Sequence, residues 1–189
     1  LGASPQMRIN IWYNTETNWD GGNVQISTDG GENWEVINPD GGYPDSDVAG
    51  LDYEPGYSGN SGGGEDPVWE AETFSLTNYS NQDVKFRFRF GSDGSVNNYE
   101  GWYLDDFEIR NGAVTTKEDD FENGDDNWVS DVVLSEWNYL NKDEEFGKVY
   151  SGEYSWYLGK KDTGLYSPSL NDSLETPTID LGDGSEKYV

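Results

Sequence analysis

Hydrophobic and polar positions alternate with a period of two along much of the chain. Val84, Phe86, Phe88 and Phe90 are separated by Lys85, Arg87 and Arg89, so one face of this segment is apolar and the other cationic. Met7, Ile9, Ile11 and Tyr13 alternate in the same way with Arg8, Asn10 and Trp12. Val24 with Ile26, and Trp34 with Val36, mark two further strands, and residues 73–76, 102–109, 154–158 and 178–181 supply others. Gly, Asn, Asp and Pro punctuate the intervals, and no stretch carries the period of an amphipathic helix. Many short strands joined by Gly-rich turns predict an all-β, antiparallel sandwich or barrel. Residues 38–68 and 138–153 read as long loops, a length uncommon in a compact domain unless the loop binds something.

A length of 189 residues suits one sandwich or two small domains. Only 33% of residues are hydrophobic but 15% are aromatic, so rings carry the core. The formal charge of -27, from 38 acids against 11 bases, argues against nucleic acid and anionic membranes as partners, because the long-range field repels both. Cations, neutral sugars and basic patches remain. Bound divalent ions or a saline medium would relieve the self-repulsion, and calcium is the favoured reading. A plain solubility surface accounts equally well for most individual acids. Cys and His are both absent, which removes disulfides, Cys/His zinc sites and His-dependent nucleophilic catalysis. No apolar run approaches a membrane span, and a chain opening on Leu1 without a signal peptide reads as a mature or excised product.

Three motifs carry candidate chemistry. Residues 27–34, Ser-Thr-Asp-Gly-Gly-Glu-Asn-Trp, fit an Asp-box hairpin turn. In it Asp29 accepts backbone N–H groups, Gly31 supplies positive φ and Trp34 packs against the turn. Its expected role is structural, and a single box argues against a propeller. Residues 101–109 place Asp105 and Asp106 side by side in an aromatic strand. Successive strand residues face opposite ways, so one of the two carboxylates points inward and needs a partner or a cation. Ten residues on comes Asp119-Asp120-Phe121-Glu122, and antiparallel pairing of the two segments would gather oxygens of the kind calcium requires. A solvated acidic edge is the alternative. Trp12, Trp19, Trp69 and Trp137 are candidate sugar-stacking platforms, and Arg87 and Arg89 could hold an acidic sugar or pair with acids from a neighbour.

Asp120-Phe121-Glu122 resembles the opening motif of MAM domains, and residues 101–109 resemble their closing Leu-Asp-Asp strand. The Trp19-Asp20-Gly21-Gly22 segment, followed by the Asp box and Trp34, is similar to MAM-like jelly rolls of secreted bacterial and archaeal proteins. These include domains attached to immune inhibitor A type metalloproteases. The resemblance implies a jelly roll whose first and last strands pair around calcium, with Glu122 and Asp106 as the leading ligands and Asp105 and Asp120 behind them. It implies no peptidase centre, since the zinc-binding His-Glu-x-x-His motif is missing.

The motifs stand in reversed order here, with the closing motif first. The whole chain therefore reads as one jelly-roll unit in which residues 1–113 form the C-terminal half in family order and residues 114–189 the N-terminal half. Such a unit is circularly permuted or completed by segment exchange with a neighbouring chain, and a cut across two tandem domains is the third explanation of the order. The functional expectation is a secreted or cell-surface, non-catalytic, calcium-binding structural or adhesion module that self-associates or packs on neighbouring domains of a larger protein. A carbohydrate-binding module attached to a secreted enzyme is the alternative. Glycoside hydrolysis by the paired carboxylates is a weaker third reading.

Overall fold

The computed structural model describes residues 4–96, 98–124, 127–130 and 135–182. The first part of the chain supplies β1 (Pro5–Asn14), β2 (Gly21–Ser27), β3 (Glu35–Val36), β4 (Asp45–Val48), β5 (Glu54–Gly56), β6 (Glu70–Ser75), β7 (Asp83–Gly91) and β8 (Gly101–Asn111). The second part adds β9 (Val114–Asp119), β10 (Val129–Ser130), β11 (Trp137–Asn141), β12 (Tyr154–Leu158), β13 (Asn171–Glu175) and β14 (Ile179–Asp180). All pairings are antiparallel. One sheet runs β11-β12-β8-β1-β6, with β9 also on β8; the other runs β10-β13-β7-β2-β3, with β14 also on β7.

The two sheets enclose one aromatic core. The period-two segments put Met7, Ile9, Ile11 and Tyr13 of β1 against Val24 and Ile26 of β2 and Phe86, Phe88 and Phe90 of β7. Phe88 is fully buried, with Trp102 at 6.0 Å and Trp128 stacked at 5.7 Å between ring centroids. Phe86 meets Phe107 edge-on at 5.9 Å. Such ring pairs add to the free energy of burial.

In β8 the alternation changes phase. Trp102 and Leu104 face the core, and so do Phe107 and Ile109. The register with β1 passes from Asn10–Asp105 to Arg8–Glu108, so two residues oppose one, and Asp106 has φ of 51°. This β-bulge keeps Phe107 inside; without it the parity would send Phe107 outward. The strict alternation expected of Asp105 and Asp106 therefore does not apply at the bulge.

The strands expected around residues 7–13, 24–26, 84–90, 102–109 and 154–158 are all present. The segment at residues 34–36 is only a two-residue strand, and residues 178–181 contribute another of two residues. Residues 38–68, expected as loop, contain the β4–β5 hairpin and two short 3-10 turns, and β11 occupies the start of the second expected loop. Residues 187–189, which also read as part of a strand, lie outside the described residues.

Residues 114–182 contribute to both sheets and to the same core as residues 1–113. On β8, β12 covers Trp102–Leu104 and β9 covers Phe107–Asn111. On β7, β13 covers Arg87–Gly91 and β14 covers Asp83–Val84. Residues 1–113 by themselves would leave one side of both long strands unpaired, and such edges recruit other chains. A cut in the β8–β9 turn between Gly112 and Ala113 should therefore yield an N-terminal fragment that aggregates when alone. Mixing it with the C-terminal fragment should give a one-to-one complex with the mass and circular dichroism of the intact chain. Light scattering that finds two separately folded monomers would contradict the shared core.

Candidate functional site

Asp105 lies on the outer face of its sheet but is fully buried, because residues 142–153 fold over it. Its carboxylate accepts the backbone N–H groups of Tyr150 at 2.7 Å, Ser151 at 3.2 Å and Asp106 at 2.8 Å. Asp106 accepts the Ser151 hydroxyl at 3.0 Å and the Asn10 amide at 3.2 Å. Glu122 accepts the backbone N–H groups of Glu153 at 2.8 Å and Tyr154 at 2.9 Å. Gly152, with φ of 62°, lies so close that a Cβ there would run into the Glu122 carboxylate. Asp120 closes its own turn on the Glu122 N–H at 3.2 Å. Asp119 holds the Phe121 N–H at 3.0 Å and the Trp128 indole at 2.8 Å.

Three of the four predicted calcium ligands, Asp105, Asp106 and Glu122, thus fasten one loop. They do not converge as a three-carboxylate group. Among the described residues, one such group has oxygens all within 4.8 Å of one another: Glu16, Asp20 and Asp93.

That group sits at one end of the sandwich. Glu16 follows β1, Asp20 precedes β2 and Asp93 follows β7. The turn from Glu16 to Asp20 is closed by the Asp20 N–H on the Glu16 carbonyl at 2.9 Å, and the Ser58 hydroxyl donates to the Asp20 carbonyl at 2.8 Å. Asp20 is fully buried; it accepts the Tyr166 hydroxyl at 2.6 Å and the Asp93 N–H at 2.7 Å. Burial pushes its carboxyl up to about 6, and the charges of Asp93 and Glu16 push the same way against those two hydrogen bonds. Glu16 Oε2 is buried with no hydrogen-bond partner. A buried carboxylate oxygen without a donor, in a group whose carboxylates lie within 4.8 Å of one another, is costly unless a cation or a proton is bound there. The donor set is all oxygen, which suits a hard cation such as calcium. The residues therefore fit the ion better than the predicted set does. Nothing local in the sequence links these three acids. The available signal was Asp20 in the Trp-Asp-Gly-Gly segment, a buried acid at the start of an apolar strand.

The four tryptophans do not form one exposed platform. Trp137 is in the main core, 5.9 Å from Trp102 between centroids. Trp12 is buried in a second cluster on the outer face with Tyr103, Leu140 and Tyr157, where Trp69 and Phe146 pack against it. The loop over Asp105 covers that cluster: Lys148 lies 4.8 Å over the Trp12 ring, and the Tyr103 hydroxyl donates to the Phe146 carbonyl at 2.8 Å. Trp19 alone of the four is half exposed. The cationic row is engaged by neighbours in the chain. Arg87 lies 4.6 Å over Trp34 and donates to Gln25, and Arg89 pairs with Asp52 at 2.6 Å and Glu54 at 3.2 Å.

The Asp box forms the β2–β3 turn. Asp29 accepts the Asn33 N–H at 2.9 Å, the Asn33 amide at 2.7 Å and the Ser27 hydroxyl at 2.7 Å, which holds its carboxyl down to about 2. Gly31 has φ of 102°, and Trp34 lies in van der Waals reach of it.

Fold and site together define an antiparallel all-β sandwich domain whose buried acids secure its loops. No protein-family model and no solved structure matches the chain. A stretch of 100 residues, 53% of the chain, is 29% identical to part of Bacillopeptidase F of Bacillus subtilis (strain 168), and the match spans 5% of that protein's length. Among the described residues no helix is long and apolar enough to cross a membrane.

Asp105 has a consequence for pH. Burial, with a smaller push from Asp106, raises its carboxyl from 3.8 to about 7, while the Tyr150 and Ser151 N–H groups oppose the rise. Between these values the folded state holds a proton that the unfolded state has lost. The contribution is present below about pH 4 and is lost as pH rises through about 7. Asp105→Asn should flatten the fall in denaturation free energy between pH 5 and 8 relative to the parent chain. Parallel profiles for the two proteins would show that Asp105 is ionised throughout.

Proposed function

We propose that this chain is a non-catalytic, calcium-stabilised structural or adhesion module of a larger extracellular protein. The observation that carries the reading is the meeting of Glu16, Asp20 and Asp93 within 4.8 Å, together with a buried, partnerless oxygen on Glu16. A cation there would tie the β1–β2 turn to the segment after β7, and through Tyr166 to the second half of the chain. Three further facts support the reading. The net charge is -27. The chain has neither His nor Cys. Its relative, named as a peptidase, is matched over 5% of its length, as an accessory domain would be. Self-association by exchange of residues 114–189 between copies belongs to the same proposal, since that segment pairs both β7 and β8.

A site with three carboxylates falls in the weak class of extracellular calcium modules, with Kd of about 10⁻⁴–10⁻³ M. At ~5 mM calcium that stabilises the folded state by about 1–2 kcal/mol. For a domain of this size the melting temperature should rise by roughly 2–8 °C over the chelated protein. Glu16→Gln and Asp93→Asn should each abolish the difference, while Glu122→Gln should lower both melting temperatures and leave the difference intact. Calorimetry showing the full calcium effect in Glu16→Gln, and none in Glu122→Gln, would move the ion to the loop-fastening acids instead.

A further inference from the structure

A cleft of about 590 Å³ lies beside the β1–β2 turn, lined by Tyr13, Thr17, Asn60, Glu70, Tyr99 and the glycines of residues 62–64 among others. Its volume is in the range of about 300–1,000 Å³ typical of small-ligand sites. The wall opposite β1 is held in place. Asn60 donates to the carbonyls of Gly64 at 3.1 Å and Glu65 at 3.0 Å, and accepts the Asn14 amide at 2.7 Å. Gly62 donates its N–H to Glu70 Oε2 at 2.7 Å, and the buried Ser61 hydroxyl accepts the Tyr13 N–H at 3.2 Å. The glycines keep the space clear, since a Cβ at Gly63 would meet nothing within 4 Å.

The polar groups that remain have a distinct character. Tyr13 is only 4% exposed, yet its hydroxyl is neither hydrogen-bonded nor among the buried unpaired atoms, so it emerges at the cleft. Burial and the charges of Glu70 and Glu72 hold that hydroxyl in its protonated, donating form. Thr17 Oγ1, the Tyr99 hydroxyl and Glu70 Oε1 likewise make no hydrogen bond among the described residues. Among the described residues no Lys or Arg lines the cleft. It therefore offers hydroxyl donors, one carboxylate acceptor and one accessible tyrosine ring, that of Tyr99, with no cation among the described lining residues to neutralise an anion.

We propose that this cleft binds a neutral saccharide. Vicinal hydroxyls match a carboxylate oxygen flanked by hydroxyl donors, and the C–H face of a pyranose matches a tyrosine ring. A phosphate or a uronic acid would meet Glu70 and the net charge of -27 uncompensated. A peptide adding as a strand would need free backbone groups on the wall, and the carbonyls of Gly64 and Glu65 are already taken by Asn60. The cleft adjoins the proposed calcium group through Thr15, Thr17 and Ser58 but is lined by none of its three carboxylates, and the melting and binding measurements read the two separately.

The test is titration calorimetry of the whole chain in calcium with xylohexaose, cellohexaose and mannohexaose, and with hexaalanine as the peptide probe. At least one hexasaccharide should bind, and Tyr99→Ala should weaken it by about tenfold or more. Tyr13→Phe keeps the buried ring and removes only the hydroxyl. It should weaken binding while leaving the melting temperature close to that of the parent. Trp19→Ala should change nothing. Absence of binding to all three sugars overturns the proposal. So does sugar binding that survives both tyrosine variants, that is lost with Trp19→Ala, or that is matched by hexaalanine.

Discussion

The structure depends on carboxylates that have been taken out of water and given N–H and O–H donors. Asp20, Asp105, Asp119 and Asp172 are all buried. Each fixes segments that are distant in sequence or that turn sharply. Asp20 joins the β1–β2 turn to Asp93 and Tyr166, and Asp105 joins the β8 bulge to the loop at Tyr150. Asp119 holds the turn after β9 against Trp128, and Asp172 takes the Ser135 hydroxyl and the Glu136 N–H. With 11 bases for 38 acids, cationic side chains are scarce in this chain. Backbone N–H groups are the donors that remain abundant, and each such bond to an ionised acceptor contributes more than a neutral one.

The same scarcity of bases distinguishes the two groups of acids. Around the bulge every predicted ligand has found a donor, although burial of Asp105 still outweighs its N–H donors. At Glu16, Asp20 and Asp93 donors run short, and one oxygen is left over. Desolvated like charges without donors favour a proton or a metal ion. In the proposed reading a cation is called for by what hydrogen bonding has not satisfied, not by the number of acids in a motif.

Aromatic residues take two roles that composition alone does not separate. Those at even positions of β7, and at the inward positions of β8 on either side of the bulge, fill the space between the sheets. Trp12, Tyr103 and Tyr157 form a second layer outside the sheet, sealed by the loop that Asp105 and Glu122 fasten. A ring on an outer face is free for a ligand only if no loop of its own chain covers it. Tyr99 of the Gly-rich cleft is only partly buried.

The period-two runs in β1, β2 and β7 determined the all-β class and most of the inward-facing residues, because burial of one sheet face acts on every second side chain regardless of what lies opposite. The Asp-box turn was legible for the same reason: its donors and acceptor lie within seven residues. Short strands such as β4, β10 and β13 carry few apolar side chains, and it is pairing with longer neighbours that makes them strands. The bulge at Asp106 was invisible locally, since only the register with β1 reveals the extra residue. The meeting of Glu16, Asp20 and Asp93, the covering of Trp12 and Trp69, and the pairing of both halves in two shared sheets were likewise settled by tertiary structure. Each depends on contacts between residues tens of positions apart, and a sequence pattern records the chemistry of such residues without recording which of them meet.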